Sequence, residues 1–85
     1  MDNIATRLRA FILDAYLFGD QSRMAADGDS LLATGVLDST GVLELIEFLE
    51  SEFGITVEDA ETVPDNLDSI AGLTRYVSAK VNAAA

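Results

Sequence analysis

Residues Thr40 to Phe53 carry four glutamates and no lysine or arginine, directly behind Gly35-Val36-Leu37-Asp38-Ser39. Everything else in a chain this small must be arranged around that segment. Asp38 and Ser39 are strong helix-capping residues and Gly54 is a helix stop, so the spacing predicts a helix from Asp38 or Ser39 to near Phe53. Each residue turns the helix by roughly 100°. With Ser39 at zero, Glu50, Leu43, Glu47, Thr40 and Glu44 fall at roughly 20°, 40°, 80°, 100° and 140°. Phe48, Leu45, Leu49, Val42, Phe53 and Ile46 fill the remainder, from roughly 180° to 340°. The wide apolar face demands a core, and the opposite face combines a serine, three glutamates and one leucine.

The flanking segments supply that core with further helices. From about Asn3 to Leu17, Ile4, Leu8, Phe11, Ile12 and Ala15 recur at helical spacing. Gly19-Asp20-Gln21-Ser22 interrupts the pattern. The connection from there to Leu37 is long for a small domain. Leu31, Leu32, Val36 and Leu37 are its expected anchors in the core, with Asp29 or Ser30 capping a short turn. Ile55-Thr56-Val57 is too short for a sheet and reads as a strand-like crossing loop. Glu58 to Thr62 suggests a short helix ahead of Pro64. A last helix starts near Asp65 to Ser69, with Leu67, Ile70, Leu73, Thr74, Val77 and Val81 on one stripe. The expected fold is all-α: a small up-down bundle of three main helices plus one short helix, with a long first loop. One domain is expected over 1–85, ordered from about 3 to 82, with Ala83-Ala84-Ala85 fraying.

Fifteen acids against five bases leave a formal charge of -10. That sign repels nucleic acid and anionic membrane surfaces and favours partners with basic patches. It also makes stability depend on ionic strength, because the folded chain repels itself. No apolar run is long enough to span a bilayer, and no signal peptide is visible. The lack of cysteine fits a cytoplasmic location.

Chemistry of its own is scarce. The chain has no histidine and no cysteine, which removes Ser-His-Asp and Cys-His nucleophiles and the usual zinc ligands. It has no P-loop and no Gly-x-Gly-x-x-Gly. Asp27 and Asp29 open like a calcium loop, but Leu31 stands at the third ligand position. No specific metal site is expected, while loose divalent-cation binding by the acids stays open. A serine beside an acid with no histidine is a weak nucleophile but an accessible point for modification.

The ordered string Asp29-Ser30-Leu31-Leu32, Gly35-Val36-Leu37-Asp38-Ser39, and an acidic amphipathic helix ending Glu52-Phe53-Gly54-Ile55 resembles the acyl carrier protein family. The resemblance covers nearly the whole chain. It implies that Ser39, with Asp38 supporting, bears a 4′-phosphopantetheine arm taken from coenzyme A. It implies a non-enzymatic carrier of acyl groups, held as thioesters, in a specialised fatty-acid, polyketide or related pathway. Thr40, Leu43, Glu44, Glu47 and Glu50 would form the docking face. The implied partners are a phosphopantetheinyl transferase, an acyl- or aminoacyl-loading ligase or transferase, and a downstream synthase or acyltransferase with a basic docking patch. The carrier itself would be a cytoplasmic monomer. Where the family usually has leucine after the serine, this chain has Thr40 and then Gly41. Asp-Ser-x-Gly resembles D-alanyl carrier proteins, which share the fold and the arm, so an aminoacyl carrier is the first alternative. A non-enzymatic acidic helical interaction module is the second.

Overall fold

The computed structural model describes residues 3–24 and 26–84. Among them are four α-helices and no strand: α1 (Ile4–Tyr16), α2 (Ser39–Phe53), α3 (Pro64–Leu67) and α4 (Ile70–Ala84). Single 3-10 turns occur at Gln21–Arg23 and Asp59–Glu61. Helix α4 packs against α1, α3 and α2.

The caps explain the boundaries. The Asn3 side chain accepts from the Thr6 N–H at 2.7 Å and starts α1. Asp38 does the same for Gly41 at 2.7 Å, so α2 begins at Ser39. Gly54 takes the left-handed conformation and its N–H returns to the Glu50 carbonyl, ending α2 after 15 residues. Ser69 Oγ accepts from the Gly72 N–H at 3.0 Å and caps α4. That helix runs to Ala84, past the expected limit at 82, and Ala85 lies outside the described residues.

The core joins Leu8 and Ile12 of α1, Leu45 and Leu49 of α2, and Ile70, Leu73 and Val77 of α4, all fully buried. Phe11 stacks on Phe48 with centroids 4.0 Å apart, which ties α1 to α2 along one edge. Arg7 sits over the Phe53 ring and pairs with Glu52 on the same edge.

Several sequence-based expectations are corrected. Ala15 is exposed, because Tyr16 and Leu17 take the inward places at the end of α1. Leu31, Val36 and Leu37 anchor the long loop, but Leu32 is 46% exposed. The short α-helix begins at Pro64 instead of preceding it. Proline fits the first helical position, where its missing N–H costs nothing. Glu58 to Thr62 forms only a 3-10 turn, closed by a reciprocal Glu58–Glu61 capping box.

The loop is fastened to the α3–α4 junction through Asp68. Its carboxylate accepts from the Ser30 hydroxyl and from the Leu32 N–H (2.9 Å), and its carbonyl accepts from the Leu31 N–H (2.7 Å). Ser30 also caps the turn that follows, accepting from Ala33 N–H at 3.0 Å. A loop without long helices is thereby held against the core, and it delivers Leu37 and Asp38 to the start of α2.

Helix α1 stops at an unusual residue. Phe18 has φ 52° and Gly19 has φ 85°, and the Gly19 N–H reaches the Leu13 carbonyl at 2.9 Å. Left-handed backbone at a helix end normally falls to glycine, since a side chain there costs about 1–2 kcal/mol. Phe18 occupies it with its side chain 87% exposed.

Candidate functional site

Ser39 is the first residue of α2 and is exposed. Asp38 carries the capping hydrogen bond, and among the described residues the Ser39 hydroxyl makes no hydrogen bond. Capping therefore accounts for Asp38 and leaves the serine oxygen open to solvent.

The first turn of α2 is braced from the side. The Tyr16 hydroxyl donates to the Gly41 carbonyl at 2.8 Å. A Cβ built on Gly41 would lie 3.3 Å from the Tyr16 ring, 3.2 Å from Asp38 Oδ1 and 3.0 Å from Leu37 Cδ1. Gly41 is buried there, so this glycine keeps the phenol ring close to the helix. Tyr16 is absent from the sequence-based site. The available signal was an isolated glycine in a helical turn, which often marks a close approach.

Of the expected docking residues, Thr40, Glu44 and Glu47 are exposed, and Leu43 is 65% exposed among them. Glu50 departs from this set. It is half-buried, and its carboxylate accepts from the Val57 N–H at 2.9 Å, holding the segment after Gly54 against α2. The free acids of this face are Glu44 and Glu47.

An apolar pocket of about 110 Å³ opens beside the same helix. Leu37 and Val42, flanking Ser39 in sequence, form one wall, and Val63, Pro64 and Leu67 face them. Leu32, which fails as a core anchor, lies at this pocket with one side in water. The sequence pattern marked these residues only as apolar.

Burial pushes the Tyr16 phenol up to about 12, with the Glu44 and Asp38 charges adding to it. Burial does the same to Tyr76, which reaches about 12 with help from its hydrogen bond to Glu61. The Lys80 ammonium, 2.9 Å from Glu61, in turn holds that carboxyl below its usual range. A phenol whose folded pKa is raised favours the fold while protonated. That contribution is intact below the ordinary value of 10.0 and is lost as pH rises towards 12. These are the chain's only tyrosines and it has no tryptophan. Phenolate absorbance should therefore rise late and together with loss of helical circular dichroism. A tyrosine that ionises at its ordinary value in the folded protein would contradict the Tyr16–Gly41 and Tyr76–Glu61 contacts.

Among the described residues, no group of three or more metal-ligating side chains is placed to hold an ion. No helix among them is long and apolar enough to cross a membrane. No protein-family model matches the chain, and no curated protein matches it.

Proposed function

We propose that the chain is an acyl-carrier-like protein, a small helical bundle that carries its cargo on a 4′-phosphopantetheine arm at Ser39. The observation that carries this reading is the exposed Ser39 hydroxyl at the first turn of α2, freed from capping by Asp38, within the Gly35-Val36-Leu37-Asp38-Ser39 string. The surroundings fit the group. The hydroxyl faces solvent, so a phosphate can be joined to it without displacing a neighbour. When attached, the arm supplies the thiol that this cysteine-free chain lacks. Ser39 provides the anchoring oxygen. No histidine is present to take its proton, so a separate transferase would supply the base; the serine oxygen would bond to the pantetheine-side phosphorus of coenzyme A as the pyrophosphate P–O bond breaks and adenosine 3′,5′-bisphosphate leaves. Asp38 keeps the helix start in place, and Tyr16 braces it through Gly41.

The pocket beside α2 offers cargo an apolar lining. About 110 Å³ bounded by Leu37, Val42, Val63 and Leu67 accommodates a short acyl or aminoacyl group. The small pocket and Asp38-Ser39-Thr40-Gly41 both favour a specialised or aminoacyl cargo over general fatty-acid elongation.

The test is intact-mass analysis of the protein after incubation with coenzyme A and a broad-specificity phosphopantetheinyl transferase, followed by peptide mapping. One added arm on the peptide containing Ser39 is expected. No addition, or addition elsewhere, refutes the reading.

Glu44 and Glu47, with Leu43 beside them, form the docking face for basic partners. Glu47 is exposed, so its replacement leaves the core alone. Glu47→Lys should slow arm attachment on the order of ten-fold at low ionic strength, with the gap closing as salt screens the charges. Equal rates for the two proteins at every salt concentration would remove this face from the account.

A further inference from the structure

We propose that Phe18 is a docking residue, an aromatic anchor that enters an apolar recess on the basic enzyme acting on Ser39. The inference rests on the carrier reading and adds a second contact surface, outside the α2 face.

The fold has no use for this side chain. Phe18 is 87% exposed and stands outside the hydrophobic cluster. It occupies left-handed backbone at the end of α1, a position where glycine or asparagine would be easier to hold. An aromatic that buries almost nothing and sits in a costly conformation is not explained by stability. Such outliers persist where surrounding structure holds them for a purpose, and solvent-facing aromatics are favoured anchors at interfaces.

Phe18 also lies close to the serine along the contacts of α1 and α2. Tyr16, two residues earlier, lies against Gly41, two residues after Ser39. Leu17 between them is buried, so the turn is fixed to the core and not free to swing. Phe18 therefore stands at the same end of the molecule as the serine, with the end of α1 beside the start of α2.

Charge selects the occupant. The surroundings are acidic: Asp14 and Asp20 flank Phe18 along the chain and are exposed, and Asp38 and Glu44 lie close enough to raise Tyr16. The whole chain carries -10. A second copy would bring the same charge to the contact, and an anionic bilayer would repel it. A cationic protein surface with an apolar recess matches both the ring and its rim.

The experiment compares wild type, Phe18→Gly and Phe18→Asn, two residues that tolerate the left-handed backbone. Arm attachment is followed by mass spectrometry at subsaturating carrier, using coenzyme A and a phosphopantetheinyl transferase with a basic surface. Both variants should keep or exceed the wild-type melting temperature. Their kcat/KM should fall on the order of ten-fold, mostly through KM, the scale of one anchor lost from an interface. Phe18→Leu should recover part of the loss. If wild type gains an arm at Ser39 and the variants gain it equally fast, the docking role is wrong and the carrier reading stands. If wild type gains no arm, both fall together. A lower melting temperature in both variants would make Phe18 a structural residue. Sedimentation showing a wild-type dimer that the variants dissolve would assign the ring to self-association, and either result overturns the proposal.

Discussion

Ser39→Ala should take no arm at all from coenzyme A and transferase, while keeping the wild-type fold. The separation between cap and attachment point makes this substitution informative. Had Ser39 been the N-cap, alanine would have cost helix stability as well, commonly about 1 kcal/mol. Here the Asp38 carboxylate holds the Gly41 N–H, and Ser39 is an exposed first-turn residue. Alanine is the better helix former there, so stability should move by no more than about 0.5 kcal/mol. Thermal melts and intact mass together decide the matter. Wild-type melting with complete loss of the added mass is the expected pair. Arm addition that persists in Ser39→Ala would place the attachment on another hydroxyl and dismantle the site.

Gly72→Ala should destabilise the fold by about 1–3 kcal/mol, against the helix-propensity trend. In an exposed helix, glycine to alanine gains about 1 kcal/mol. At Gly72, an added Cβ would lie 2.4 Å from the Asp65 carbonyl oxygen and 3.1 Å from Ser69 Oγ. The first neighbour is backbone and cannot rotate aside, so α3 must move off α4. That movement also disturbs Asp68, where the long loop is tied down. For a domain of this size, 1 kcal/mol corresponds to roughly 4–8 °C in melting temperature. A chemical or thermal melt showing Gly72→Ala equal to or above wild type would mean that α3 docks more loosely than described.

Much of the fold is legible in the residues because local chemistry agrees with the final packing. Asn3, Asp38 and Gly54 end their helices where their side chains and conformational preferences say they should. The apolar stripe of α4 points inward at Ile70, Leu73 and Val77. Three of the misses depend on a partner outside the local segment. Leu31 and Leu32 are chemically identical, and the loop's path where both N–H groups bond Asp68 leaves Leu31 inward and Leu32 outward. Glu50 lies on the serine side by rotation, yet its long side chain reaches the Val57 N–H beyond the end of the helix. Gly41 looks like a weakness in the first turn until Tyr16 arrives from α1 to occupy the space. The exposure of Ser39, Glu44 and Glu47 on α2 was legible because a helix's own geometry sets their direction.

The contact between Tyr16 and Gly41 makes the end of α1 and the start of α2 a single rigid corner. With no side chain at residue 41, the phenol ring rests almost on the backbone of the turn that begins at Ser39. Tilting that turn would drag Tyr16 with it and unseat Leu17 from the core. The serine is thus mounted on a turn braced from α1 as well as by Asp38 at the end of the long loop. A group tethered there would swing about a fixed pivot, so its sweep would be governed by the tether's own length and joints.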